Sequence, residues 1–514
     1  MSAARKTRPA SWHLAGLVLL TVLAAALRFW RLRHQGFWFD EANTSQELRF
    51  TPGQMITLLK HYESTPPFYY AVAWVWGRIF GFGEAGLRSL SAICGVLVVP
   101  LAYALGHKLF SKRTGLIVAA FVACNPLLIW YSQEARAYEM LVLLTAVALL
   151  AFAYARERPE RPALTVWAAA SVLAMATEYY AALVVIPMAV WFLYEHRQRR
   201  EVLGSIAAVA VLSLPLLWFA ISQNATGHAS WIKHVSLGPR VGQIFPQFLV
   251  GFGAPGGIAL SWIAAVLTLT GLGLIAVRRD LVAVRMLGAL LLGAIVINAL
   301  LVAVGVDNLL TRNVLPMWLP AAVLVAAGLG LRRTLLPGVA LTAVLCGVGI
   351  AAAVGVEVNR TYQRPDWRQV ASVLGTRPAQ GVAERAILIQ NYRDVLPLSL
   401  YMPHLHAWHH TGTDKVSHYT RTYPVLEVDV VSISSPPAPS TGCWWGSACN
   451  LISSQLQSTY PIAGFRPVSI RRSHQFTILR MVANRPVMLT PPMVSSALTN
   501  TKLIYDDLLV QTAS

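Results

Sequence analysis

The chain is 514 residues long, 55% apolar and only 13% charged, with a mean hydropathy of +0.52, a composition that a water-soluble domain does not keep in solution. Its 42 Lys and Arg against 23 Asp and Glu give a formal charge of +19, but the basic residues mostly sit between long apolar runs, where they meet anionic lipid headgroups and set orientation. A soluble enzyme is excluded, and nucleic acid is not the expected partner.

The first residues, MSAARKTRPAS, lead into an apolar run from Leu14 to Leu27 that continues into Arg28-Phe29-Trp30-Arg31 without a convincing cleavage site. It reads as a retained first span rather than a signal peptide. About eleven segments have the roughly 20 apolar residues a spanning helix needs: 13–30, 88–109, 114–131, 137–155, 163–177, 179–194, 202–221, 257–277, 282–304, 313–331 and 335–354. The expected fold class is an all-α polytopic bundle, a membrane domain over 1–354. An extracytoplasmic α/β domain over 355–483 and an extended tail over 484–514 follow it. Runs such as AILIQ, VDVVSIS and FTILRMV alternate there with helix-like DWRQVASVLG and NLISSQLQ.

Orientation follows from the basic loops Lys112-Arg113, Arg156 to Arg161, Arg197 to Arg200, Arg278 to Arg285 and Arg332-Arg333, all expected on the cytoplasmic side with the N-terminus. The segment PFYYAVAWVWGRIFG, Pro67 to Gly81, is apolar and aromatic but short, and counting it as a span would break this alternation. It is therefore laid in the outer interface, as its Trp and Tyr suit. The first outer loop then runs from about 31 to 87. Arg28, Arg31 and Arg33 go against the rule, as a basic cluster on the outer side.

This topology gathers the acids Asp40, Glu41, Glu47, Glu63, Glu84, Glu134, Glu139, Glu178 and Asp307 at the outer face, where charges near lipid usually mark a cavity or a paired site. Four elements carry them or lie beside them: Phe39-Asp40-Glu41-Ala42, His61-Tyr62-Glu63-Ser64-Thr65-Pro66-Pro67, Tyr131-Ser132-Gln133-Glu134-Ala135-Arg136-Ala137-Tyr138, and Asp307-Asn308-Leu309-Leu310-Thr311-Arg312-Asn313. Acids with separated arginines suit transfer of a group from an anionic leaving phosphate. A carboxylate removes the acceptor proton while Arg136 or Arg312 takes the charge that builds on the phosphate. Each feature also has a plainer reading: Asp40-Glu41 as the start of an interfacial helix, Arg136 as a surface partner of Glu134 or Glu139, Arg312 as an interfacial anchor, and Glu63 and Glu178 as structural or acceptor-side groups.

In the C-terminal domain, His404, His406, His409 and His410 lack the partner pattern of a zinc site and read as a solvated or acceptor-contacting loop. Cys94, Cys124 and Cys346 lie within spans and read as small apolar residues. Cys443 and Cys449 are a disulfide candidate, which an oxidising compartment would allow.

FWFDEANT in the first loop, ESTPPFYYAVAWVWGRIFGFGEAGLRSLSAICGVLVVPLAYALGHKLF, NPLLIWYSQEARAYEMLVLL and LLTRNVLPMWLPAAVLVAA together resemble the integral-membrane glycosyltransferases of the GT-C superfamily. The group they resemble is the dolichyl- and polyprenyl-phosphate-mannose mannosyltransferases with their bacterial relatives, in order over roughly residues 15 to 400. The resemblance implies a polyprenyl-phosphate-linked sugar donor at the outer leaflet, transfer to a lipid, glycan or protein acceptor, and release of polyprenyl phosphate. It implies Asp40 as catalytic base with Glu41 in support, and a substrate-binding set of His61, Glu63, Gln133, Glu134, Arg136, Tyr138, Glu178 and Arg312. No cofactor or obligatory metal is expected, because the donor leaves as a monophosphate whose charge arginines can take. The chain departs from its relatives at Thr65, where many have His or Lys before the Pro-Pro pair, and at Asn313, where Tyr is usual after the arginine. Two rivals come from other classes. A secondary transporter would show internal repeats and midplane charges, and neither is seen. A non-catalytic lipid-carrier binding protein would need no base.

Overall fold

The structure is a computed structural model that describes residues 12–227, 232, 235–253, 256–278, 281–331, 335–378, 384–389, 395–402, 404–410, 423–433, 462–473, 476–490, 493 and 507–512. It divides into two compact units. One comprises Met1–Leu32 and Thr44–Val356, the other Arg33–Asn43 and Glu357–Ser514.

The first unit is helical. In chain order the helices are α1 (Trp12–Phe29), α2 (Phe39–Glu47, which begins in the second unit), α3 (Pro52–Tyr62), α4 (Phe68–Phe80), α5 (Glu84–Leu109), α6 (Lys112–Cys124), α7 (Pro126–Ser132), α8 (Tyr138–Glu157), α9 (Arg161–Thr177), α10 (Ala182–His196), α11 (Arg200–Asn224), α12 (Leu237–Val250), α13 (Gly257–Ala276), α14 (Val282–Ala303), α15 (Trp318–Leu329) and α16 (Leu335–Val358). Among the described residues nine helical segments are long and apolar enough to cross a membrane, ten if the bent pair α6–α7 is one span. The expected span over 163–177 is α9, whose 17 residues sit at the short end of what a bilayer core requires. The chain has the composition and helix set of a multi-pass membrane protein. Segment 67–81 forms α4, whose 13 residues are too few to span.

Helix boundaries follow local chemistry. Thr51 caps α3 in a reciprocal capping box with Gln54, and Pro52 occupies the first turn, where its missing N–H costs nothing. The expected single span over 114–131 is instead two helices meeting at 57°. The cause is Asn125-Pro126: proline cannot donate to the α6 carbonyls, while the Asn125 side chain accepts from the Leu128 N–H and starts α7. Small side chains let the bundle close. A Cβ on Gly271 would lie 2.9 Å from the Val325 backbone oxygen, so α13 and α15 approach backbone to backbone there.

The second unit is α/β. Helices α17 (Trp367–Leu374) and α18 (Val395–Tyr401) accompany strands β1 (Glu384–Ile389), β2 (Leu405–His410), β3 (Tyr423–Ile433), β4 (Arg466–Ser473), β5 (Phe476–Leu489) and β6 (Asp507–Thr512). They form one sheet in the order β2-β6-β1-β3-β5-β4, with β1 and β3 parallel and the other pairs antiparallel. Alternation along β1 sends Ile387 and Ile389 into a core with Trp367, Val370 and Leu398 of the two helices, while Ala386 and Leu388 pack on the other face with Val428 and Leu479.

Two boundaries differ from the sequence expectation. Residues 484–489 complete β5 and 507–512 form β6, so the segment expected as an extended tail supplies strand to the sheet. Residues Arg33–Asn43 of the first outer loop, expected within the membrane domain, group with the second unit. Gln35 donates to Glu357 at 3.0 Å and accepts from the Arg364 N–H at 3.0 Å, and the Phe37 N–H donates to the Tyr401 hydroxyl at 2.8 Å. Such long-range stitching leaves no periodic trace in a sequence.

Candidate active site

The membrane unit gathers its strongest polar cluster where the short connections after α3 and α7 meet α2 and α4. Arg136, in the turn between α7 and α8, is 6% exposed. Its guanidinium forks onto Glu63, with Nη1 to Oε1 at 2.8 Å and Nη2 to Oε2 at 3.1 Å, and Nη1 also donates to the Tyr70 hydroxyl at 2.8 Å and to Thr44 Oγ1 at 3.2 Å. Arg136 is thus buried and paired with Glu63, not at the surface as its plainer reading had it. The two-pronged geometry is the strong form of an arginine–carboxylate pair.

Burial pushes the Glu63 carboxyl up, but the charge and fork of Arg136, the Tyr70 hydroxyl and the Ser64 N–H together outweigh it and hold the group below the usual carboxylate range. Burial also pushes the Tyr70 phenol well up, so it stays protonated and available as a donor.

Glu178, between α9 and the 3-10 turn Tyr179–Ala181, is also buried. Burial pushes it up to about 7, against the pull of Arg136 and Arg312, and Glu63 adds to the rise. Glu63, Arg136, Glu178 and Arg312 therefore share one electrostatic field. Arg312 is half-buried in the 3-10 helix Thr311–Met317.

Several supports carry no sequence signal of their own. Gln223, near the end of α11, accepts from the Tyr179 hydroxyl at 2.8 Å and donates to the Leu59 and Thr65 carbonyls at 2.9 and 3.0 Å, fixing the chain on both sides of Glu63. Arg240 of α12 forks onto Asp307 at 2.8 and 2.6 Å and holds the loop that leads to Arg312. Tyr70 and Thr44 likewise stand out only once Arg136 is seen between them.

The remaining expected site residues are placed as follows. Asp40 and Glu41 occupy the first turn of α2, with Asp40 partly exposed and Glu41 fully buried; both group with the second unit. His61 is exposed at the end of α3. Glu134 is buried, and its carbonyl accepts from the Arg136 N–H. Tyr138 packs its ring against Tyr131 with centroids 4.6 Å apart. The Gln133 side chain is committed elsewhere, to the carbonyls of Leu27, Arg28 and Trp30. Cys443 and Cys449, and the side chains of His406, His409 and His410, lie outside the described residues. Among the described residues no three His, Cys, Asp or Glu side chains gather as metal ligands do.

Residues 64–222 match the family described as dolichyl-phosphate-mannose-protein mannosyltransferase, a stretch that includes Tyr70, Arg136 and Glu178. No curated protein sequence matches the chain significantly. Among solved structures, ArnT from Cupriavidus metallidurans in the apo state is 14% identical, with 91% of this chain and 98% of ArnT covered and a TM-score of 0.55. The same protein bound to undecaprenyl phosphate gives 14% identity, 92% and 98% coverage and a TM-score of 0.54. An oligosaccharyltransferase from Archaeoglobus fulgidus is 17% identical over 70% of this chain, with a TM-score of 0.45; the chain spans only 55% of its length. The chain thus has the fold of ArnT and, over residues 64–222, matches the family described as dolichyl-phosphate-mannose-protein mannosyltransferase.

Proposed function

We propose that this protein is a membrane glycosyltransferase that moves a sugar from a polyprenyl-phosphate donor to a lipid, glycan or protein acceptor on the extracytoplasmic side, with inversion at the anomeric carbon. The observation that carries this reading is the field shared by Glu63, Arg136, Glu178 and Arg312. One buried and one half-buried guanidinium near a short aromatic helix suit a phosphate at the headgroup level, and the undecaprenyl phosphate in the ArnT structure is a ligand of that chemistry.

In this reading Asp40, on the first turn of α2 and one turn before Thr44, takes the proton from the acceptor hydroxyl, and Glu41 supports it. The freed oxygen lone pair attacks the anomeric carbon from the face opposite the phosphate. The glycosidic carbon–oxygen bond then breaks, its electron pair leaves on the polyprenyl phosphate, and the proton stays on Asp40. Arg312 takes the growing charge together with Arg136. Glu178, poised near neutrality, tunes that field. Glu134, Tyr138 and His61 take part in holding the donor. The chemistry requires no metal, since a monophosphate leaving group can be neutralised by guanidiniums alone. The N-terminus lies in the cytoplasm and the C-terminal α/β unit outside.

Purified enzyme incubated with a panel of polyprenyl-phosphate-linked sugars tests this. Asp40→Asn is expected to lower transfer by about 10²- to 10⁴-fold, the usual worth of a general base, while still binding undecaprenyl phosphate. Transfer by Asp40→Asn at the wild-type rate would remove the base. A chain that binds the lipid phosphate but moves no sugar in any combination is a carrier protein instead.

A further inference from the structure

Arg28 belongs to the first span, yet it is fully buried. Its guanidinium donates from Nη2 to the Val122 carbonyl at 2.8 Å, from Nη1 to the Ala123 carbonyl at 3.2 Å and from Nε to Ser132 Oγ at 3.0 Å. The two carbonyls are those the α6–α7 break orphans. The helical partner of Val122 would be the N–H of residue 126, which is proline, and that of Ala123 would be Leu127, beyond the 57° bend. An unpaired carbonyl buried at membrane depth is costly, and Arg28 satisfies both.

The favour is returned from the other side. Helix α1 ends at Phe29, with Arg31 at a φ of 54° just beyond it, which leaves its own last carbonyls without intrahelical donors. The Gln133 amide donates to Leu27 at 3.2 Å, Arg28 at 3.4 Å and Trp30 at 3.0 Å. The end of α6 is therefore capped by a side chain from α1, and the end of α1 by one from the α7–α8 turn. Gly95 of α5 leaves the space for this exchange: a Cβ there would lie 2.6 Å from Arg28 Nε and would also collide with Ser132 Oγ. Glu139, at the start of α8 just after that turn, is fully buried as well.

We infer that Arg28 and Gln133 are positioning residues for the donor-phosphate site. They lock the end of α1 to the α7–α8 turn and so set where Arg136, three residues after Gln133, presents its guanidinium. This rests on the proposed role of Arg136 in holding the donor phosphate. It accounts for an arginine on the outer side that the orientation rule disfavours, because Arg28 acts as an internal capping group and not as a loop cation. Lysine cannot replace it, since a single ammonium does not reach two carbonyls and a hydroxyl in a fixed fork.

The test uses the full chain in lipid nanodiscs, with undecaprenyl phosphate as probe and amide hydrogen exchange across 132–137 as a readout that does not depend on transfer. Arg28→Lys, Arg28→Gln and Gln133→Leu are each expected to speed exchange across that turn and to weaken probe binding about tenfold, the order expected for losing hydrogen bonds to a charged or buried group. If the Arg28 variants do not fold, Gln133→Leu decides alone. Unchanged exchange across 132–137 overturns the clamp. Faster exchange with unaltered probe binding overturns the positioning role, provided Arg136→Ala loses the probe. If Arg136→Ala binds it as wild type does, the donor-site reading fails whatever the exchange shows, and the positioning role fails with it.

Discussion

Arg136 delivers its charge first to Glu63, and this decides what a substitution there does. Glu63→Gln leaves a buried guanidinium without its counter-charge, a change that typically costs about 3–5 kcal/mol, so the unliganded protein is expected to unfold at a lower temperature. The same change releases Arg136 toward an anionic ligand. Undecaprenyl phosphate should therefore raise the melting temperature of Glu63→Gln by more than it raises that of the wild type; an equal or smaller rise would mean that Arg136 does not meet the phosphate. Glu178 gives a second prediction. Its carboxyl is raised to about 7 by burial, above the ordinary value of about 4.3, so between those values the folded state holds a proton that the unfolded state has released. Its contribution is then present below about pH 4.3 and is lost as pH rises through about 7. Thermal unfolding in detergent followed from pH 5 to 8 should show a fall in stability that Glu178→Gln flattens. The sequence already marked Glu63, Arg136, Glu178 and Arg312 as charges too costly to leave near lipid without purpose. It did not show their pairing, because which acid an arginine meets depends on chain crossings tens of residues apart.

At the scale of elements, the break between α6 and α7 is where sequence reading and structure part. NPLLIW sits within an apolar run of spanning length, and hydropathy sums it into one helix. Asn125 and Pro126 carry the cap and the missing donor that divide it, and the bend sets the direction of α7 and of the turn after it, which holds Arg136. Gly95 is the packing condition for that arrangement. Gly95→Ala is expected to destabilise the bundle by about 1–3 kcal/mol, the usual cost of overpacking, and to free the Ser132 hydroxyl from Arg28; a melting temperature equal to wild type would show that the space is not needed. The short α4, by contrast, was legible as a segment that does not span, from its length and from the alternation of the basic loops, and it is a helix of 13 residues.

For the whole molecule, the main features were legible because they rest on composition and periodicity: a helical membrane unit and a sheet-containing unit after the last span. What escaped was the grouping of Arg33–Asn43 with the C-terminal unit and the entry of the last strand into the sheet, since pairing between distant segments has no local signature. The proposed orientation has its own check. Ser64 and Arg158 are both exposed and fall on opposite sides in the proposed topology. Cysteines introduced at each in turn should react with a membrane-impermeant thiol reagent from outside for Ser64→Cys and only after permeabilisation for Arg158→Cys. The reverse pattern would invert the topology and remove the extracytoplasmic site.

The position of β6 sets an order of events in the cell. Although it comes last, it lies between β2 and β1 and pairs with both. Until residues 507–512 have emerged from the ribosome, two earlier strands wait with open ladder edges, the kind of surface that invites association with other chains. Completion of the sheet thus waits on residues 507–512, and a truncation before residue 507 is expected to give aggregation and proteolysis before it gives any defect in chemistry.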